Sequence, residues 1–500
     1  MKSRFLHHID RMAARRAGDR FEVTIVGWAL RTMDRSARRV WVRFEGREYE
    51  AVRIYRPDII PVEGGCPGDE QLPGFEIRIP DAGGIGFLEM FADDGEEVPE
   101  VLEKTEIDPR CLCDPTEDPG QRFATFRFVT GLPGKPCGRS IPKGKRALSV
   151  EWVIPDFGRG AGGHAAIFRV IRALEREGHS CRIWILHHSR HGSPERVRRV
   201  IGESFVPVEA EVRFLSVGDV GLIDGDIGFA TDRWTAYYLR AAGKLAHRFY
   251  LVQDFEPSFY PAGAAYFLAE DTYRFGFSPI ASSRWLAGKL AAYTEVEVPV
   301  FGYGIDHGVY RPGDSAAADR GKHRIVFYAR AATSRRVVEI GVLALELLAA
   351  RRTDFVVDFF GEDLSDFEAP FDSVNHGVLD AAALARLYRA GTVGVVFSAT
   401  NHAILPKEMM ACGLPVVELT GENLEGIYPP GTVRPTRPEP FAVARTLEEL
   451  LDDSARRASQ REAGLAFAAG ISWDAEIAKV VRAVHARVGL PEPSADRTAG

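Results

Sequence analysis

Apolar and polar positions change rhythm several times along the chain. Residues 1 to 18 place Phe5, Ile9 and Met12 at intervals of four and three, with Lys2, Arg4, Arg11, Arg15 and Arg16 around them. That spacing predicts a short basic amphipathic helix, a leader able to touch an anionic membrane surface or to dock on the next domain. Residues 19 to 105 carry short alternating or apolar runs, FEVTIVGWAL, RRVWVRFEG, REYEAVRIY, FEIRIP and IGFLEMFADDG, between Gly, Pro and Asp breaks. Strands at this spacing predict a small all-β sandwich. Residues 106 to 145 contain DPRCLCDPTEDPG and GLPGKPCGRSIPKGK, whose prolines and glycines break regular structure and predict a linker.

From 146 the pattern becomes strand, loop, helix. ALSVEWVI leads through PDFGRGAGG into HAAIFRVIRALEREGH, where Ile167, Ile171 and Leu174 share one face, and CRIWILHH follows. Further strands (VRFLS, DIGFA, RFYLVQ) alternate with helices (TAYYLRAAG, AAYFLAEDTYRF, SRWLAGKLAAY). A second series runs from RIVFYAR through VEIGVLALELLAAR, FVVDFFGED, DAAALARLYRAG, VGVVFSA and KEMMACG to LPVVEL. The fold class is therefore α/β: two doubly wound domains, over 146–318 and 319–470, preceded by the sandwich. A crossover helix over 471–490 and a flexible tail over 491–500 complete the chain. Strand carboxyl ends in such domains face a cleft, and the chemistry is expected there.

Composition narrows the function. A net charge of −7 argues against a nucleic-acid-binding body. Neither a signal-like h-region nor an uninterrupted apolar run of the ~18 residues a spanning helix needs is present, so the chain reads as cytoplasmic. Six cysteines in 500 residues are too few for a disulfide scaffold. Cys111, Cys113 and Cys137 form a poor zinc set, because the first two are close together and no fourth ligand is suitably spaced.

The loops at the strand ends hold the candidate residues. Gly158, Gly160, Gly162, Gly163 and His164 join the first strand of the α/β region to its helix, without the spacing of a dinucleotide fingerprint or a P-loop. Arg330 ends RIVFYAR, and Arg335 and Arg336 follow it; converging guanidinium groups suit a diphosphate. Glu408 is a lone acid in the apolar helix PKEMMACG, one turn after the polar loop Asn401 to Pro406, where a carboxylate would accept hydrogen bonds from ribose hydroxyls. Asp224-Gly225-Asp226 imitates a metal-binding D-x-D, but it precedes an apolar strand and reads as a turn; no metal is expected. Asp254 and Glu256 alternate on one extended segment, so at most one meets a ligand. Tyr260, Tyr266 and Trp234 read as core.

These residues carry a resemblance. Residues 147–488, about two-thirds of the chain, resemble GT-B retaining glycosyltransferases of family 4, and most closely WsaF-type rhamnosyltransferases. The matching stretches are GGHAAIFRVIRALEREGH, YLVQDFEPSFYPAGAAYFLAEDTYRFGF, FYARAATSRRVVEIGVLALELL, HGVLDAAALARLYRAGTVGVVFSATN and PKEMMACGLPVV. Gly27-Trp28-Ala29 and Arg56-Pro57-Asp58-Ile59 resemble the β-sandwich accessory domains attached to many such enzymes. The family's diphosphate pair falls on Arg330 and Arg335, and the second acid of its E-x(7)-E motif on Glu408. The first acid is replaced by Thr400, which weakens the case for a generic hexose donor.

The resemblance implies two Rossmann-like domains and a nucleotide-sugar donor, dTDP-L-rhamnose for the nearest likeness, with UDP- and GDP-sugars open. It places donor contacts at Gly162, Gly163, Gly361, His376, Gly377, Val378, Thr400, Asn401, Ile404 and Glu408. Sugar or acceptor contacts fall at Thr231, Asp232, Gln253 and Glu256, with Arg330, Arg335, His164 and Asp254 in catalytic roles. The implied acceptor is a glycan or a lipid-linked oligosaccharide. A non-catalytic carbohydrate-binding or scaffold subunit and a nucleotide-sugar epimerase are the competing readings.

Overall fold

The structure, a computed structural model, describes residues 5–17, 20–31, 39–54, 74–83, 86–93, 99–107, 109, 123, 126–158, 160–186, 191, 193–313, 321–364 and 367–493. The chain divides into two compact units, Met1–Gly131 and Leu132–Gly500.

The first unit is a sandwich of two antiparallel four-stranded sheets. One orders β1 (Phe5–Ala17), β2 (Arg20–Arg31), β6 (Gly74–Ala82) and β5 (Val52–Ile54); the other orders β4 (Arg47–Glu50), β3 (Arg39–Phe44), β7 (Gly86–Asp93) and β8 (Glu100–Ile107). Val23, Ile25 and Ile77 from one sheet meet Val40, Val42, Leu88 and Met90 from the other in a single core. Residues 5–17 are thus a strand and not the expected helix. The cause is a bulge: Ile9 pairs with Gly27 and Arg11 with Val26, leaving one extra residue. A bulge moves the inward set from odd to even positions. Phe5 and Ile9 before it, and Met12 and Ala14 after it, all reach the core, so a broken period of two imitates a helical spacing. With Phe5, Ile9, Met12 and Ala14 spent inside the sandwich, this segment is not the amphipathic helix expected. Arg56-Pro57-Asp58-Ile59, Cys66, Cys111 and Cys113 lie outside the described residues.

The second unit begins with residues 132–145, the end of the stretch read as a linker, which lies against the first α/β domain. Lys135 N–H donates to Arg240 O at 3.0 Å and Gly138 N–H to Gly243 O at 2.9 Å. Proline and glycine exclude a helix there, yet extended backbone still finds carbonyl partners.

Two parallel six-stranded sheets follow. The first orders β11 (Glu211–Leu215), β10 (Ser180–Leu186), β9 (Ser149–Pro155), β12 (Ile227–Ala230), β13 (His247–Val252) and β14 (Ser278–Ala281). The second orders β17 (Ser373–Asn375), β16 (Phe355–Phe360), β15 (His323–Tyr328), β18 (Val393–Val395), β19 (Val416–Leu419) and β20 (Val433–Thr436). Both read 3-2-1-4-5-6, the doubly wound order, whose switch point opens a crevice at the strand carboxyl ends. The inner strands, such as β9, β12, β13, β16 and β19, are buried on both faces and accordingly read as mainly apolar runs, while the edge strand β17 is exposed.

Helix α1 (Gly162–Arg176) covers the first sheet, and α2 (Trp473–Val488) returns from the chain's end to pack on it. Trp473, Ile477, Val480, Val481 and Val484 share one core with Trp152, Ile167 and Ile171. Among the described residues, no helix is long and apolar enough to cross a membrane.

Candidate functional site

The centre of the cleft is built where β13 ends. Beyond Val252 the chain bends at Asp254, and Glu256 opens a 3-10 turn, Glu256–Phe259, so the segment is not the extended one expected, yet the two acids still diverge. Asp254 reaches across to the second α/β domain: its Oδ1 accepts from Phe255 N at 2.8 Å and Asn401 N at 2.9 Å. Its Oδ2 accepts from Thr400 Oγ1 at 2.9 Å and lies 3.4 Å from Arg335 Nε. Burial pushes the Asp254 carboxyl up, and Arg335 pulls against that push.

Glu256 turns the other way, into the first domain, accepting from Arg233 N at 2.8 Å and Tyr250 OH at 3.2 Å. Burial and neighbouring Asp232 push it up to about 8. It is a structural acid, so the contact with sugar or acceptor expected of it is not what the geometry offers.

Asn401 ties the two domains together. Its Nδ2 donates to Gln253 O and Ser282 Oγ, both at 2.8 Å, and its Oδ1 accepts from Ser283 Oγ at 2.7 Å. Gln253 in turn donates from Nε2 to Gly163 O at 3.1 Å. Gly162 stands opposite Ile404, whose Cγ2 would be 3.8 Å from a Cβ placed there. Gly162, Gly163, Gln253, Asp254, Thr400, Asn401 and Ile404 are therefore one cluster.

Three arginines follow β15, and they do different work. Arg336 Nη1 donates to Ser398 Oγ at 2.9 Å and Phe397 O at 3.3 Å, holding the loop after β18. Arg335 sets its guanidinium 4.3 Å from the Phe259 ring and beside Asp254. Arg330 is exposed and, among the described residues, its side chain has no hydrogen-bond or ion-pair partner. Burial lowers the Arg335 pKa, with Arg336 and Arg330 pushing the same way, so these guanidiniums repel one another. An anion placed between Arg330 and Arg335 relieves that repulsion.

Glu408 sits one turn into the helix Leu405–Ala411, half-buried at the cleft. Burial pushes its carboxyl up to about 8 and Asp306 adds to the push; Arg169 on α1 and a hydrogen bond with Tyr310 oppose it. No basic side chain pairs with it among the ion pairs of the described residues, which leaves acceptor capacity for a ligand hydroxyl.

The remaining expectations divide. His164 is on the first turn of α1, with Nε2 3.1 Å from Pro155 O and its ring stacked on Phe157. A carbonyl only accepts, so Nε2 carries the proton; burial lowers the pKa to about 4. The ring is neutral at pH 7, and only Nδ1 is left to accept. Thr231 is buried, with its hydroxyl donating to Val153 O at 3.2 Å, and Asp232 caps its helix by accepting from Thr235 N at 2.8 Å. Both serve the fold.

Gly361, with φ +108°, brings the β16 end against Tyr328, where a Cβ would fall 2.5 Å from the ring; its N–H donates to Gly377 O at 2.9 Å. His376 Nε2 is 2.7 Å from Asp358 Oδ1, which also receives Arg324, so this ring is tied back to the sheet. Val378 is 68% exposed on the same loop. Asp224 pairs with Arg139, and Asp226 binds Lys145 Nζ at 2.6 Å and Ser149 N at 2.7 Å. The Asp224-Gly225-Asp226 segment is a turn at the amino end of β12, away from the cleft.

Sequence reasoning missed Ser282, Ser283, Arg169 and Glu418. Glu418 is fully buried in β19, accepts from Ser398 N and Leu419 N at 2.9 Å, and is pushed up to about 8 by burial. The single charge in VVEL was its signal. Arg169 had none: it sits on a helix face beside Arg172 and Arg176 with the same composition.

Comparisons with known proteins bear on the fold and the family likeness. Residues 323–448 match the family model of the WsaF C-terminal domain. The O-antigen biosynthesis protein RfbC of Myxococcus xanthus is 27% identical over 369 residues, which cover 72% of this chain and 29% of RfbC. The chain thus spans less than a third of that relative. HepE of Anabaena, solved in complex with UDP-glucose, superposes with a TM-score of 0.55 at 14% identity, over 68% of this chain and 100% of HepE. Sucrose-phosphate synthase from Thermosynechococcus elongatus gives 0.52 at 12% identity, over 68% of this chain and 99% of that one. The fold is GT-B, and the likeness to WsaF read from the sequence is met within 323–448.

Proposed function

We propose that the chain is a retaining family-4 glycosyltransferase that transfers L-rhamnose from dTDP-L-rhamnose to a cell-surface glycan or lipid-linked acceptor. The observation that carries the coarser reading is Arg335 lying beside Asp254 across the junction of the two α/β domains, with Arg330 in electrostatic range of it and Glu408 of the second domain in range of Arg169 of the first. Arg330 and Arg335 take the diphosphate as it leaves, supplying charge where charge develops. Asp254, held by Thr400 and Asn401, keeps a carboxylate near the oxocarbenium-like sugar. The departing phosphate oxygen deprotonates the acceptor on the same face, so the enzyme supplies no nucleophile. Glu408 accepts from the nucleotide's deoxyribose hydroxyl.

Rhamnose is supported by Thr400 in place of an acid, since a 6-deoxy sugar offers one hydroxyl fewer to recognise. The O-antigen role in the name of the Myxococcus relative points to a polysaccharide acceptor and a site of action at the cytoplasmic face of the envelope. The UDP-glucose bound to HepE favours a second donor reading, UDP-sugar. A guanidinium as open as Arg330 would serve nothing in a scaffold.

A thermal-shift panel of dTDP, UDP, GDP and their sugars, with and without EDTA, tests this reading, because ligands that bind only the folded state raise apparent stability. The expected result is the largest shift with dTDP-L-rhamnose, unaffected by chelator. No shift with any nucleotide would overturn the donor site; a shift abolished by EDTA would overturn metal-free binding.

Glu408→Gln separates ligand binding from stability in the same assay. A carboxyl raised to about 8 in the fold holds its proton where the unfolded chain, near 4.5, has lost it. Its stabilising contribution is complete below 4.5 and is lost as pH rises to about 8. At pH 8 the variant should melt at or above the wild-type temperature while its nucleotide shift falls. Lowered melting with a preserved shift would make Glu408 structural.

A further inference from the structure

The segment leaving Asp254 carries aromatic rings to the cleft. In the turn Glu256–Phe259, Phe259 lies 4.3 Å from the Arg335 guanidinium. The next residue, Tyr260, holds the Arg233 guanidinium 3.8 Å from its ring, and Trp234 holds the same guanidinium at 4.4 Å. All three rings are half-buried, and the Tyr260 hydroxyl has no hydrogen-bond partner among the described residues. Tyr260 is also within electrostatic range of Arg335. Phe267, on the helix that follows, is 63% exposed.

These rings are held by guanidiniums and by each other, with Phe259 edge-on to Tyr260 at 6.4 Å between centroids. Arg233 N–H donates to Glu256, its Nη1 donates to Ala265 O at 3.4 Å, and Glu256 N–H donates to Tyr273 OH at 3.1 Å from its own buried position. The structural acid Glu256 therefore fixes both ends of the aromatic lip. Sequence reading placed Tyr260 and Trp234 in the core; the geometry places them at its edge, next to the phosphate-binding arginine.

We infer that Trp234, Phe259 and Tyr260 form the acceptor subsite, a stacking surface for one pyranose ring of a glycan. This rests on the donor reading above for its orientation. A pyranose offers an apolar C–H face and a rim of hydroxyls, which matches rings interleaved with guanidiniums and one open phenol. A lipid tail would need contiguous apolar surface, which Arg233 and Arg335 interrupt. The lip adjoins Arg335, so a sugar stacked there stands beside the leaving diphosphate, where an acceptor hydroxyl must arrive.

Saturation-transfer NMR on the full chain with UDP present tests this, using methyl glycosides of α-L-rhamnose, α-D-mannose and β-D-glucose, which carry no aromatic group of their own. The expected result is saturation of the ring protons of at least one glycoside. That signal should drop at least fivefold in Tyr260→Ala and Trp234→Ala and persist in Tyr260→Phe, with the nucleotide-induced thermal shift kept in each. If the alanine variants do not fold, Tyr260→Leu, which keeps apolar volume without the π face, carries the same expectation. Three results overturn the subsite: no glycoside saturated by the wild type, alanine variants saturating like the wild type, or glycosides saturated only when UDP is left out. A wild type that no nucleotide stabilises refutes the donor reading instead, and the NMR result still decides the stacking surface.

Discussion

Arg335→Ala is expected to lower sugar transfer at least 100-fold and to remove most nucleotide affinity. Two losses coincide at this residue. The diphosphate loses a charge-assisted partner worth about 1.5–3 kcal/mol, and a tenfold rate change corresponds to about 1.4 kcal/mol. Asp254 loses the cation 3.4 Å from its Oδ2, and a carboxyl already pushed up by burial is pushed up further. Arg335→Lys should recover little, because an ammonium neither lies flat on Phe259 nor offers a planar fork. Arg330→Ala is the milder companion: about tenfold in affinity, with melting unchanged because its side chain is exposed. Calorimetry with the best nucleotide and initial rates with its sugar check all three. Wild-type affinity in Arg335→Ala would remove the diphosphate from this place.

Asn401→Ala is expected to have the largest effect on stability. Its buried amide makes three hydrogen bonds of 2.7–2.8 Å to Gln253, Ser282 and Ser283 in the other domain. Each buried partner left unsatisfied costs about 1–3 kcal/mol. Gln253 O keeps a bond from Ser282 Oγ at 3.0 Å, and Ser283 Oγ still accepts from Leu286 N, so the loss is partial. A fall in melting temperature of about 5 °C or more is expected at a few degrees per kcal/mol. Ser283→Ala, which removes one of the three bonds, should give a smaller fall. Scanning calorimetry without ligand measures both, and an unchanged Asn401→Ala transition would mean that this junction does not hold the domains.

Much of the architecture was legible because parallel strands buried on both faces leave mainly apolar runs, such as SVEWVIP and FVVDFF, each carrying a single buried acid, Glu151 or Asp358, and closed by glycine and charged loops. Residues 5–17 were misread because one bulged residue turned a period of two into intervals of four and three. In the site, Arg335, Asp254, Thr400 and Glu408 were visible because strand ends and a lone charge in an apolar helix are local signals. What Asp254 and Glu256 each do was not visible: alternation says that they diverge, and only the fold says which way. Ser282, Ser283 and Arg169 were illegible for a related reason. Ser283 meets Asn401 across 118 positions of sequence, and no local pattern records such a contact. The aromatic lip was hidden by its composition, since Trp, Tyr and Phe in an α/β protein are more often core.

The chemistry of the cleft has an internal logic that single residues do not reveal. Asp254 occupies Arg335, Thr400 and Asn401 together, so one carboxylate from the first domain holds in place a cation and the loop leading to Glu408 in the second. Three acids, the buried Glu256 and Glu418 and the half-buried Glu408, are each raised to about 8. Two of them, Glu256 and Glu418, are satisfied by backbone N–H groups and serve the scaffold, which makes Glu408 the acid proposed to meet a ligand.

The central claim is that the diphosphate of a nucleotide sugar lies between Arg330 and Arg335. Phosphorus NMR of dTDP-L-rhamnose, UDP-glucose and GDP-mannose, titrated with the full chain, tests it most directly. The account predicts broadening and displacement of both phosphate resonances for one of the three donors, abolished in Arg330→Ala/Arg335→Ala and retained in Glu408→Gln at saturating donor. Phosphate resonances that ignore the wild-type protein for all three, or that respond equally to the double variant, would contradict it.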